Sequence, residues 1–484
     1  MSDEQNRTTD SSTFLKRLIG FSLAAWVNSA ISFIAIPIIT RIFLPDELGK
    51  IYLFITYTNI LLSFAYLGID QAFTRFYHEP CGKNDYKSLL TVCISLSLII
   101  CAIIGIAVII CRDYVSNEIL GYVSIVVPIC LILSIFSEVL LRYMNLSARM
   151  RNNVLLYSVQ SITITLIGKV SFVVVALWSP FAQNAILFKT ILIFSAAIVF
   201  LMYGAKKELS LKTDYSKACL SELFKYAIPI FPATLLIMLN NSIALLMLKR
   251  YVDYSAIGIY SNAVSIAGIL SILQSGFGAY WPPFVFENYK NGQNKIVKVH
   301  HIISFSMVAL ALIIVISQDL IYHILVGKQY WDSKILLPFL LISPICYTIA
   351  ETLGLGITIA KKTYLNIPVY IVNVIVNIAL CFILLPRIGI TGAAIASAVS
   401  SICMLIIKSI FGEHLYKCSD NYFKVVSVMS VAMITAVINY VLFDYAIKYL
   451  IFISLFVVLV LIYLKEIKYL FSYFLPVLKQ YSHK

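Results

Sequence analysis

Apolar runs of about twenty residues follow one another along nearly the whole chain, separated by short polar breaks. A hydrocarbon core of roughly 30 Å takes about 20 helical residues to cross, so each run is long enough to span it. Fourteen spans are predicted, at 18–39, 48–70, 88–111, 119–141, 154–178, 183–203, 223–248, 256–280, 300–325, 335–359, 364–385, 390–410, 422–443 and 446–464. The runs are continuous rather than alternating, which excludes the strands of a membrane barrel. The fold class is therefore an all-α integral membrane protein of about fourteen transmembrane helices.

Composition agrees. The chain is 61% hydrophobic and 12% charged, with a mean hydropathy of +0.91. That is more apolar side chain than 484 residues can hide from water. The net charge of +14 is mostly a topology signal. With the amino terminus taken as side one, Lys and Arg favour that side by roughly three to one, so both termini are expected in the cytoplasm. Basic residues do not alternate with aromatics on any polar segment, and no nucleic-acid partner is expected. The opening "MSDEQNRTTDSST" lacks a basic n-region and a cleavage site, and reads as a cytoplasmic tail, 1–17. The ten cysteines fall mostly in apolar runs, without CxxC or Cys/His clusters, so no metal, cofactor or disulfide framework is expected.

The longest loop, "GAKKELSLKTDYSKACLSE" (204–222), is too short for a catalytic domain, and the chain is not expected to be an enzyme. It separates an N-lobe of six helices (18–207) from a C-lobe of six (223–410), with a cytoplasmic linker at 208–222. Two further helices and a cytoplasmic tail occupy 411–484.

The halves echo one another. A shift of 209 residues superposes Lys16 on Lys225, Arg41 on Arg250 and Gly49 on Gly258. Each lobe has an even number of helices, so the repeat is parallel, about an axis along the membrane normal. Two such lobes predict a cleft that rocking exposes to either side, and hence transport.

Three stretches carry a family resemblance. "TRIFLPDELGKIY" (40–52) resembles the R-x-L-x-P-x-E-x-G-x-Y signature that follows the first helix of polysaccharide flippases. "YLGIDQAFTRFYHE" (66–79) is similar to the second-helix exit of that family, and "LLPRIGITGAAIASAVSS" (384–401) to its entry into helix twelve. The chain so resembles the oligosaccharide (O-antigen) flippases of the Wzx type in the MOP superfamily, relatives of the MATE drug exporters. The resemblance implies alternating access by two six-helix lobes in the bacterial cytoplasmic (inner) membrane. It implies a polyprenyl-diphosphate-linked oligosaccharide as substrate, with membrane lipid, a polysaccharide polymerase and chain-length proteins as partners. Two departures stand out: Gly49 and Tyr52 are one residue further apart than their second-half counterparts, and "SPFAQNAILFKT" (179–190) lacks the small-residue pattern of its echo. The first helix carries no acid, unlike many cation-coupled MATE relatives, which leaves the coupling ion open. A MATE-type drug or cation antiporter is the alternative function, and a membrane polymerase is disfavoured by the short loops.

A diphosphate calls for cations and a sugar for amides, hydroxyls or aromatics. Ionisable groups within spans are costly and face a cavity or a partner. Lys169 and Lys189 are the expected pathway residues, with Lys169 the deeper, about 12 Å from its helix end against about 9 Å. Arg75 is expected at the inner mouth beside Asp70. Glu138 and Arg142, four apart, read as an intrahelical ion pair beside the pathway. Glu351 shows no local partner and reads as a coupling or sugar-contacting acid. Arg41, Gly49, Arg250 and Gly258 are repeat landmarks that set helix turns rather than bind substrate.

Overall fold

The polar breaks between apolar runs become helix ends, each for a local reason. The computed structural model describes residues 24, 26–79, 86–209 and 217–468, and regular structure among the described residues is helical throughout. Helix α1 (Trp26–Ile42) gives way to α2 (Pro45–Tyr66). Pro45 occupies the first turn of α2, where its missing N–H costs nothing. Asp46 and Glu47 follow at the positive end of the helix dipole. Lys50 bridges both, at 2.6 Å and 2.7 Å.

Leu67 closes α2 and Gly68 opens α3, both in the left-handed region, with φ of 46° and 78°. A Cβ on Gly68 would stand 2.5 Å from the Ala227 carbonyl oxygen, so backbone angle and close approach both require glycine. The chain restarts as α3 (Ile69–Phe76), then runs through α4 (Tyr86–Ile110) and α5 (Arg112–Leu120). Then come α6 (Val126–Met150), α7 (Val154–Ala176) and α8 (Ala182–Glu208). Asn153 caps α7 by accepting from the Leu156 N–H at 3.1 Å.

Two long helices follow, α9 (Lys217–Tyr251) and α10 (Tyr254–Asn288), the second capped by Asp253 through the Ala256 N–H at 2.7 Å. After them come α11 (Gln293–Ile316), α12 (Gln318–Leu325), a 3-10 segment (Lys328–Ile335), α13 (Leu337–Leu353) and α14 (Leu355–Ile359). The described chain ends with α15 (Asn366–Ile388), α16 (Ile390–Leu415), α17 (Tyr422–Val441) and α18 (Ile447–Ile462).

Among the described residues, eleven helices are long and apolar enough to cross a membrane, and twelve if the 3-10 segment and α13, bent by 58°, form one span. The shorter apolar helices α1 and α18 stand where the first and last spans are expected. Several expected spans differ in outline, the run at 48–70 among them, which breaks at Gly68 between α2 and α3. The run at 119–141 starts later, because 112–120 is a separate helix closed by left-handed Gly121. The run at 300–325 divides where Ser317 Oγ donates back to the Ile313 carbonyl at 2.6 Å. The run at 335–359 breaks at Gly354, between α13 and α14. The tail 1–17, linker residues 210–216 and the terminal residues 469–484 lie outside the described residues.

Contacts divide the chain into two units, Met1–Ser242 and Ile243–Lys484. The end of α1 and the end of α9 are 209 residues apart, as are the starts of α2 and α10. The starts of α4, α5, α6, α7 and α8 recur in α11, α12, α13, α15 and α16 within three residues of that spacing. In the first unit α6 packs on α4 and α8, and in the second α16 packs on α13 and α15. A close interlock sets the second arrangement: a Cβ on Gly356 would meet the Gly412 carbonyl oxygen at 2.1 Å. Outward, α4 exposes Ile99, Ile103, Ile106 and Ile110, an apolar stripe suited to lipid.

Candidate functional site

In the first unit a cavity of about 350 Å³ opens between the end of α2 and helices α6, α7 and α8. Tyr66, Glu138, Arg142, Asn145, Ser161 and Lys189 supply its polar lining. Glu138 is the middle residue of α6, and Lys189 lies two turns into α8. Lys189 is 7% exposed, an ammonium held inside a span. Glu138 is the opposite charge that acts on it, and each offsets part of the cost of burying the other.

The helix break at Gly68 builds the rest of the site. It delivers Asp70, buried at 6% exposure, to α6. The carboxylate accepts from Arg142 Nη2 at 3.0 Å and from Gln71 Nε2 at 3.0 Å. Tyr66 donates to the Glu138 carbonyl at 3.4 Å, while Tyr143 meets Tyr66 and Phe73 edge-on. From α1, Asn28 Nδ2 donates to Ser161 Oγ at 2.7 Å. Lys189 and Arg142 face the cavity with Glu138, and Asp70 balances Arg142 from beside it, so an anionic group entering here would meet two cations already matched by two carboxylates.

The structure brings Glu138, Arg142 and Lys189 together at one cavity and places the other expected residues elsewhere. Arg142 does not pair within its helix: the turn at Gly68 brings Asp70 of α3 against α6, and Asp70 takes it. Lys169 does not line the cavity; its neighbour Gly168 does, and the Lys169 charge acts on Lys189. Arg75 stands apart, exposed, with Glu79 at 3.0 Å. Glu351 does have an opposite charge, Lys408 of α16, which with it lines a second cavity of about 240 Å³ in the second unit. Lys408 was missed because it lies near the end of an apolar run, where snorkelling to the interface is the simplest reading. The repeat landmarks lie outside both cavities: Arg41 and Arg250 are exposed at helix ends, Gly49 and Gly258 are buried within α2 and α10.

Comparison with known proteins gives a consistent picture. The family model described as "Polysaccharide biosynthesis protein" matches residues 14–287, more than half of the chain. "Capsular polysaccharide biosynthesis protein CapF" of Staphylococcus aureus is 22% identical over 392 residues, covering 78% of this chain and 94% of that protein. Among solved structures, a lipid II flippase MurJ in an inward closed conformation superposes with a TM-score of 0.68 at 15% identity. That match covers 92% of this chain and 99% of MurJ. An inward-facing multidrug resistance MATE transporter of the MOP superfamily gives a TM-score of 0.54 at 15% identity, over 80% of this chain and 94% of the other. The fold is thus that of MurJ-like and MATE-like membrane transporters.

Proposed function

We propose, from the premise that this chain belongs to the polysaccharide biosynthesis protein family, that it flips a polyprenyl-diphosphate-linked oligosaccharide across the bacterial cytoplasmic membrane. It is a multi-pass membrane protein with a flippase-type transporter fold. One observation carries the reading: Lys189, Arg142 and Glu138 share a polar cavity inside the membrane-spanning part of the first unit.

Lys189 and Arg142 supply the cations that a diphosphate needs while it is out of water. Glu138 keeps the cavity from binding that anion too tightly to release it. The prenyl tail needs no polar path. An apolar groove of about 570 Å³ between α16 and α17, lined by Ile402, Ile406, Val426 and Met429 among others, supports a place for it beside the last two helices. In this reading both termini are cytoplasmic, transport proceeds by alternating access, and a polymerase and chain-length proteins receive the product.

The test is deletion of the gene followed by extraction of lipid-linked glycans. Accumulation of lipid-linked repeat units on the cytoplasmic side is the expected result, reversed by the wild-type chain. A drug exporter of the MATE kind would leave those glycans unchanged and alter drug sensitivity instead. A polymerase would leave single units on the outer face.

A further inference from the structure

The second unit holds a cavity of different character, and it is built rather than incidental. It lies where α13 ends, α15 begins and α16 passes, with α10 as its remaining wall. Glu351 on α13 and Lys408 on α16 line it, on the helices whose counterparts in the first unit carry Glu138 and Lys189. The Lys408 stem is fixed in direction by passing over Gly354: a Cβ at that glycine would meet the Lys408 Cε at 2.7 Å. Glu351 Oε2 faces α10 at Gly278, 3.8 Å from where a Cβ there would stand.

Two further groups in the lining lack a partner among the described residues. There the indole N–H of Trp281, a residue only 3% exposed, finds no acceptor, and the buried Oδ1 of Asn366 finds no donor. Buried polar groups are nearly always paired, so a donor and an acceptor both left open at one cavity point to a ligand that supplies the complement. The indole is also held rigidly, stacked between Phe277 at 5.0 Å and Phe284 at 6.0 Å. A fixed indole N–H, a carboxylate, an amide oxygen and an ammonium together match the hydroxyls of a sugar.

Charge and size narrow the ligand. Glu351 and Lys408 cancel, so this lining has no cationic excess for a phosphate. The volume of about 240 Å³ falls below the roughly 300–1,000 Å³ of sites for drug-sized molecules. We infer that the Trp281–Glu351–Asn366–Lys408 cavity is a binding site for one uncharged pyranose residue of the transported glycan. The site rests on the function proposed above, with the sugar and the diphosphate recognised in different units of the chain.

The experiment reads binding without transport. The full chain in lipid nanodiscs is mixed with methyl β-glucopyranoside or its 2-acetamido analogue, and saturation transfer from protein to sugar protons is recorded by NMR. Saturable transfer to at least one glycoside is expected, with no displacement by inorganic pyrophosphate. Trp281→Phe keeps the ring and removes the donor, and should weaken binding about tenfold, the order set by one lost buried hydrogen bond. Glu351→Gln should do the same, while thermal unfolding confirms that each variant is folded. No transfer in folded wild-type chain, equal transfer in both variants, or displacement by pyrophosphate overturns the site. Failure to bind either glycoside, in a chain whose gene still restores glycan export, removes the sugar site and leaves the function standing. Glycoside binding by a chain whose deletion leaves lipid-linked glycans unchanged does the reverse.

Discussion

The Glu47 carboxylate accepts a hydrogen bond from the backbone N–H of Ala182 at 2.5 Å, tying the start of α2 to the first residue of α8. The acid of the "TRIFLPDELGKIY" stretch thus caps a helix 135 residues away and satisfies one of its four orphan N–H groups. Lys50, on the same carboxylate at 2.7 Å, balances the charge. In the second unit Asp253 caps its own helix instead, so the two echoes share a turn but not a tie.

Removing that tie has a measurable cost. Glu47→Ala is expected to destabilise the chain by about 1 kcal/mol, the usual worth of a helix cap. Thermal unfolding in detergent checks it. Lys50→Met leaves the acceptor in place and should cost less; an equal loss would mean that the ion pair, not the cap, is what matters.

The partnership of Asp70 with Arg142 is tested by a double-mutant cycle. Arg142→Ala leaves a buried carboxylate with the Gln71 amide alone, a loss of about 1–3 kcal/mol. Adding Asp70→Asn should recover part of it. The coupling energy of Arg142 with Asp70 should exceed that with Glu138. A larger Glu138 term would restore the intrahelical pairing that the i, i+4 spacing suggests.

Transport should depend more on Lys189 than on Lys169, because only Lys189 lines the cavity. Lys189→Met is expected to lower glycan export about tenfold or more, the effect of losing one charge-assisted contact. Lys169→Met, acting only through the field at Lys189, should lower it by a smaller factor. Complementation of the deletion strain, with protein levels matched, decides between them.

Acid should loosen the tie between α11 and the α16–α17 loop. His301 Nε2 lies 2.6 Å from Asp420 Oδ1, and this hydrogen bond holds the Asp420 carboxyl below its ordinary value of 3.8. A depressed carboxyl stabilises the fold above its unfolded value and loses that contribution as pH falls through the folded one. The unfolding temperature of the wild-type chain should therefore drop more steeply than that of Asp420→Asn between about pH 5 and 3. Identical slopes would remove Asp420 from the acid response.

Much of the molecule was legible in the chain itself. Long apolar runs dictate helices in lipid, because an unpaired backbone has no other partner there. The spacing of Arg41 and Gly49 from Arg250 and Gly258 gave a repeat whose helix ends fall at that same interval. Lys189 and Glu351 were legible as intramembrane charges, each lining a cavity in its own unit.

Which charge meets which was decided only by the tertiary structure. Arg142 has Glu138 four residues away in sequence, yet pairs with Asp70, 72 residues distant, because the left-handed turn at Gly68 swings α3 against α6. Glu351 lies 57 residues from Lys408, and the glycine interlock of α14 with α16 is what brings their helices close. Hydropathy fixes that a segment is a helix; the rotation of one helix against another depends on where small residues let backbones touch. That rotation selects the side chains that share a cavity.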